Sequence, residues 1–193
     1  MGRGTKTTEF LKECLSDALI RLMREKPIDK ISINEIAEEA GVNRSSWFRN
    51  FTNKSEVLTF KFVQLWKRWS GEHSVAAQNR FTIDNAKDFF QFNYENKHIL
   101  QVVYSADMRS AVYNAFCQIT LPQSETNPKE CYKARFYSYG LFGMLDEWVR
   151  RGFKESVGEM VQGFYQFIKE YFPDSANDGS ALSGTGTLAM GVD

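Results

Sequence analysis

The spacing of apolar residues constrains this chain more than any other feature of its sequence. Apolar side chains recur at intervals of three and four residues over most of the chain, which is the period of one face of an α-helix. No alternating apolar and polar run flanked by hairpin turns occurs. The helical patterns are interrupted at the few prolines, which are Pro27, Pro122, Pro128 and Pro173. The sequence therefore predicts an all-α protein of about nine helices.

The first part of the chain carries the start signals of three helices. Ser32 and Glu35 form a capping box, in which the hydroxyl binds the amide of the third helical residue and the carboxylate binds the N-cap amide. Asn43 and Asn53 are good N-caps for two further helices. The predicted helices lie at about residues 7–26, 33–39 and 44–50, with a long fourth helix from residue 54.

The remainder of the chain is predicted to form a second helical domain. Its helices are expected at about residues 83–95, 97–105, 107–121, 129–151 and 156–172. We divide the chain into a head (1–53, with a link to about residue 70), a regulatory and dimerisation domain (54–172) and a tail (173–193). The tail is rich in Ser, Gly, Asn, Asp and Thr, and we expect it to be flexible.

Two short helices joined by a tight turn and packed on a longer helix predict a helix-turn-helix head. Gly41 provides the positive φ that such a turn needs. The second short helix of this motif enters the major groove of DNA, where Arg and Asn side chains can make bidentate contacts with bases. Small serines allow close approach, and cations bind phosphates. The candidate DNA contacts from this chemistry are Asn43, Arg44, Ser45, Ser46, Arg49, Asn50 and Lys54.

The charge distribution agrees with a nucleic-acid-binding head. Residues 1–70 carry 13 Lys/Arg and 9 Asp/Glu, whereas residues 71–193 carry 11 and 15. A basic head on an acidic body suits DNA binding by the head alone, although random scatter of charge is an alternative. Arg3 and Lys6 could form a minor-groove arm or a solvated terminus. Trp47 and Phe51 could close the core of the head or contact bases.

The segment from Ile33 to Leu58 resembles the DNA-binding signature of the TetR family of transcriptional regulators. The residues that carry the resemblance are Ile36-Ala37, Ala40-Gly41-Val42, Phe48, Phe51, Asn53-Lys54 and Leu58. The resemblance extends over roughly residues 7–70. This chain departs from the family where Phe48, Asn50 and Thr52 stand in place of the usual Tyr, His and Pro. A hydroxyl that could bind a phosphate is thereby lost at Phe48.

The resemblance implies a function and a set of site residues. It implies a homodimeric repressor that binds a pseudo-palindromic operator in double-stranded DNA and is released by a small-molecule inducer. Residues from Asn43 to Asn50, including Phe48, would face the operator. Lys54 would clamp a phosphate at the start of its helix, and Ser32 would be a second phosphate contact. The alternative is a TetR-like protein-interaction or co-regulator module with weak or no operator binding.

The second domain leaves two questions open. The last helix carries an apolar stripe at Val157, Val161, Phe164 and Ile168. In TetR-like proteins the last two long helices pair with their copies, so this stripe, with Gly140 and Gly143 opposite, is the predicted dimer interface; the alternative is burial within one copy. Aromatic residues between 89 and 137 could line an inducer pocket or simply pack the core.

Several functional classes are not supported by the sequence. No P-loop, dinucleotide fingerprint, nucleophile elbow or zinc-protease motif occurs, so we do not expect an enzyme. The three cysteines lack metal or disulfide spacing, and His73 and His98 are isolated, so no metal or other cofactor is expected. Without a signal peptide or a long apolar stretch, we expect a cytoplasmic protein that does not bind membranes.

Overall fold

The structure, a computed structural model, describes residues 3–73, 75, 86–121 and 127–171. All regular structure in these ranges is helical, which confirms the all-α prediction. The helices are α1 (Arg3–Glu25), the 3₁₀ helix η1 (Ile28–Lys30), α2 (Ile33–Glu39), α3 (Arg44–Asn50), α4 (Lys54–Glu72), α5 (Ala86–Glu95), α6 (Lys97–Ser105), α7 (Arg109–Thr120), α8 (Pro128–Arg150) and α9 (Val157–Tyr171). The predicted tail and the side chains of Arg3 and Lys6 lie outside the described part.

Several helices begin where a side chain satisfies the first backbone amides. Ser32 and Glu35 form the expected capping box at α2. The Asn53 carboxamide oxygen accepts from the Glu56 amide at 3.0 Å, at the start of α4. Ser156 and Glu159 form a further box before α9, with the Ser156 amide donating to Glu159 Oε2 at 2.7 Å. These local bonds fix the helix starts because the first amides of a helix have no partner within it.

The described helices belong to two compact units. Unit 1 contains α1 to α4, α6 and most of α7, and unit 2 contains α5, α8 and α9. The helix α4, which covers the predicted link to about residue 70, belongs to unit 1 with the head. The boundary at residues 53 and 54 stays a prediction. In unit 1, α1 crosses α2, α3 and α4 around the buried side chains of Leu15, Leu19, Ile36, Trp47 and Leu58.

Unit 2 is held together by an aromatic core. The ring of Phe90 on α5 lies 5.7 Å from that of Trp148 on α8 and 6.3 Å from that of Phe164 on α9. The turn after α8 adds Phe153, whose ring lies 4.8 Å from Trp148. Aromatic pairs in edge-to-face arrangements contribute beyond the apolar area that they bury. Of the predicted pocket aromatics, Phe89, Phe90 and Phe92 are thus core residues.

The stripe predicted to pair two copies packs instead within unit 2. Phe164 and Ile168 are only 8% and 4% exposed because α9 turns this face toward α5. The predicted interface is therefore wrong for these two residues, and the alternative of burial within one copy holds. Val157 and Val161 on the same stripe are half-buried.

A different surface of unit 2 exposes large aromatic rings. On α8, exposed Tyr132, Phe136 and Tyr139 fall at helical spacing on one stripe. Gly140 and Gly143 continue it, and a Cβ at either position would meet nothing within 4 Å. On α9, Tyr165, Phe167 and Tyr171 are exposed. We refer to the three aromatic residues and two glycines of the α8 stripe as the aromatic face.

Candidate nucleic-acid interface

The turn between α2 and α3 sets the direction of the second short helix. Gly41 has φ +63°, in the left-handed region that glycine adopts without steric cost. The Val42 amide donates to the Ala37 carbonyl at 3.0 Å, which closes the end of α2. Asn43 then caps α3, its side chain accepting from the Ser45 amide. Seven-residue α2 and α3 thus form the helix-turn-helix pair on α1.

One face of α3 is exposed, and its residues match much of the predicted site. The exposed residues at and after the cap are Asn43, Arg44, Ser45, Phe48 and Arg49. The opposite face is closed by Trp47, 1% exposed, and by Phe51, which follows α3. Their rings lie 5.9 Å apart. Of the two interpretations of Trp47 and Phe51, the structure supports core packing.

Two predicted base contacts are turned away from this face. Ser46 is 8% exposed and lies on the side of Trp47. The Asn50 carboxamide donates to the Ser46 carbonyl at 2.7 Å, within the last turn of α3. A side chain that bonds back to its own helix has one fewer donor for a base edge. The exposed face of α3 therefore carries fewer of the predicted base contacts than the sequence pattern indicated.

Arg44 and Phe48 form one unit on the exposed face. The guanidinium carbon of Arg44 lies 5.0 Å from the centroid of the Phe48 ring, which is a cation–π geometry. Phe48 is 58% exposed despite its large apolar ring. The residues are four positions apart, so they are neighbours on the helix surface. The contact places the Arg44 guanidinium beside the Phe48 ring on the exposed face of α3.

Ser32 and Lys54, the predicted phosphate contacts, both have partners in unit 1. The Ser32 hydroxyl accepts from the Glu35 amide at 3.2 Å, and its own proton is not used by that bond. The Glu35 carboxylate bonds Lys26 and Ser32, and these bonds lower its pKa from 4.5 to about 2. The Lys54 ammonium donates to the main-chain carbonyl of Ile28 at 2.6 Å. An ammonium has three donors, so this bond does not prevent a phosphate contact.

Unit 1 also contains an open groove of about 930 Å³. It is lined by α1, α4, the last turns of α7 and the chain after α3, including Phe51. The Lys12 ammonium lies 5.8 Å from the centroid of Phe51 and 5.5 Å from that of Phe60. Phe51, which packs on Trp47 of α3, therefore forms part of the wall of this groove.

No group of three or more His, Cys, Asp and Glu side chains that could hold a metal ion occurs in the described ranges. Within those ranges, no helix has the length and apolar character needed to cross a membrane.

Comparisons with known proteins agree with this architecture. Residues 15–59 match the family described as bacterial regulatory proteins, tetR family. Residues 83–170 match a family described as a transcriptional regulator C-terminal region. A search of curated proteins found no significant match.

A solved structure supports the fold. The chain is similar to a TetR transcriptional regulator from Rhodococcus sp. RHA1, with a TM-score of 0.55 and 15% sequence identity. The alignment covers 92% of this chain and 99% of the other. The helix-turn-helix geometry, the two matched families and the shared fold together establish that this chain belongs to the TetR family of transcriptional regulators.

Proposed function

We propose that this regulator represses transcription by binding as a homodimer to a pseudo-palindromic DNA site, and that a small-molecule inducer releases it. The observation that carries the DNA-binding part is the exposed face of α3. This face presents Arg44 and Arg49. The turn at Gly41 sets the direction of the helix, and Trp47 packs the opposite side of the helix into the core. Asn43 and Ser45 add polar contacts, and Ser32 and Lys54 supply phosphate contacts on either side in the chain.

The homodimer is supported by the aromatic face of unit 2. Phe136 and Tyr139 are 63% and 57% exposed, which is unusual for rings of this size on a stripe that also carries two glycines. Glycines that face open space let a second helix approach closely. We propose that a second copy covers this surface. Two copies would read two half-sites, with centres about 34–36 Å apart or a multiple of that distance.

Release by an inducer is supported by the groove of unit 1. Its volume of about 930 Å³ suits a small molecule. Its lining combines apolar rings with charged and amide side chains, such as Lys12 and Gln64. Binding there would act on Phe51 and so on the packing of α3. Release by an inducer is tested by adding candidate compounds to the complex with labelled DNA and measuring how much DNA is released. In a Phe60→Ala variant the same compounds should no longer release the DNA.

The test of DNA binding is selection from randomised duplexes followed by fluorescence anisotropy over a range of salt concentrations. A specific complex should show a steep fall of affinity with salt, because cations on α3 displace counterions. The Arg44→Ala/Arg49→Ala variant should lose most of this affinity. Its matched control is Lys87→Ala/Lys154→Ala, which removes the same charge from exposed positions in unit 2. Equal affinity of the two double variants would contradict the proposal.

A second candidate function is a co-regulator that binds a protein through the same head. The exposed Phe48 ring favours it, because a large apolar side chain on a surface often contacts another protein. If protein binding is the principal role of the head, no sequence should be enriched from randomised duplexes at physiological salt. Enrichment of a single palindromic sequence would exclude it as the principal role.

A further inference from the structure

We propose that Arg44 and Phe48 together read a guanine next to a thymine, with the Phe48 ring contacting the C5 methyl group of the thymine. This inference rests on the proposed function, since it requires that α3 lie in the major groove. It assigns base readout to two particular side chains and names the DNA step that they select.

The position of the Phe48 ring limits what it can contact. The rings of Trp47 and Phe51 are buried, whereas Phe48 is 58% exposed on the same face as Arg44 and Arg49. A phenyl ring has no donor or acceptor and cannot bond a phosphate or a polar base edge. In the major groove, the apolar group that a base pair presents is the thymine methyl. The ring is therefore suited to thymine.

The geometry of Arg44 specifies the neighbouring base. Its guanidinium carbon is held 5.0 Å from the Phe48 centroid. A planar guanidinium so restrained loses less freedom when its fork binds the O6 and N7 acceptors of guanine. Successive base pairs are stacked about 3.4 Å apart. Arg44 and Phe48 lie one helical turn apart on α3, so the fork and the ring reach successive positions along a groove, and we assign them to adjacent base pairs.

The experiment removes the methyl group without changing base pairing. The full chain is first used to select a binding site from randomised duplexes. Each thymine of the selected half-site is then replaced by deoxyuridine, and affinity is measured by anisotropy. For the wild type we expect that replacing one thymine next to a guanine lowers the affinity about fourfold per half-site. This is the loss expected when the burial of a single methyl group is removed. Substitution at other thymines should have little effect.

Variants assign this effect to the two side chains. Phe48→Ala should bind thymine and deoxyuridine sites equally, whereas Phe48→Leu should keep part of the difference because its side chain is apolar. Arg44→Ala should lose the preference for guanine at the adjacent position. The matched control is Phe10→Ala, which removes an exposed ring from α1 and should retain the full methyl effect. Since Phe48 is exposed, its loss should not unfold the head, and circular dichroism checks this.

The outcomes separate this inference from the proposed function. If the wild type selects a sequence but responds to no deoxyuridine substitution, the inference is overturned and the proposed function stands. It is also overturned if Phe48→Ala keeps the wild-type methyl effect. If the wild type enriches no sequence at all, operator binding fails and the inference fails with it.

Discussion

The Lys54 ammonium donates a hydrogen bond to the main-chain carbonyl of Ile28, with 2.6 Å between Nζ and O. This bond ties the first residue of α4 to η1, 26 residues earlier in the chain. It gives the Ile28 carbonyl a second donor, because this carbonyl also accepts from the Ile31 amide at 3.3 Å at the end of η1. Lys54 therefore has a structural role in unit 1 in addition to its proposed contact with a phosphate.

Lys54→Ala should weaken binding to all DNA sequences about equally. The slope of log affinity against log salt should fall by about one for each half-site, because one phosphate contact is lost. The variant should also be less stable by about 1 kcal/mol, through the lost bond to Ile28. Lys87→Ala, with the same change of charge in α5, is the control. Wild-type affinity and slope in a salt titration would exclude the phosphate contact.

Glu35 should make the stability of unit 1 depend on pH in the acid range. Its bonds with Lys26 and Ser32 lower the pKa of the folded state to about 2, below the unfolded value of 4.5. Its stabilising effect is therefore complete above pH 4.5 and is lost as the pH falls to about 2. Thermal unfolding of Glu35→Gln should show a smaller fall of Tm over this interval. Lys26→Met should approach the same profile; a profile identical to the wild type would contradict the role of Lys26.

Two glycines of unit 1 should respond to alanine in opposite directions. A Cβ at Gly41 or at Gly71 would meet nothing within 4 Å, so the backbone decides the effect. Gly41 has φ +63°, where alanine is strained, and we expect Gly41→Ala to cost about 1–2 kcal/mol. Gly71 is helical, and Gly71→Ala should stabilise by about 0.5 kcal/mol. Urea unfolding measures both; the same sign for the two would refute the argument.

The aromatic face of unit 2 should control association. Phe136→Glu/Tyr139→Glu would place two carboxylates where we propose that a second copy packs. We expect a folded monomer in light scattering, with weak binding to a two-half-site duplex. Phe10→Glu makes a similar change at an exposed ring of unit 1 and should leave the mass unchanged. A wild type that is monomeric at micromolar concentration would rule out the homodimer.

Phe164 should act on folding rather than on association. Its ring is buried against Phe90, so Phe164→Ala leaves a cavity and should cost about 3 kcal/mol. The loss is measured by urea unfolding monitored through Trp fluorescence. If Phe164→Ala instead keeps the wild-type stability and becomes monomeric, the stripe of α9 that carries Phe164 forms the dimer interface.

The local features of this chain could be predicted well from its sequence. The capping residues Ser32, Asn43 and Asn53 and the turn at Gly41 lie where they were expected. Each depends on bonds or backbone angles within a few residues, so the sequence alone contains the needed information. The capping box at Ser156 and Glu159 was not among the predicted helix starts, although its Ser-x-x-Glu spacing is visible in the sequence.

Which side of each helix faces inward was decided by the tertiary structure. The sequence pattern placed Ser46 beside Arg44 as a base contact, and it identified the stripe of Phe164 without showing what covers it. Packing of α3 against α1 and α2 leaves Ser46 buried, and packing of α9 on α5 buries Phe164 within one copy. Helical periodicity is a property of one segment, whereas burial depends on the segment packed against it. The sequence alone thus determined the helices, their caps and the family resemblance, and only tertiary packing decided which side chains remain exposed to bind.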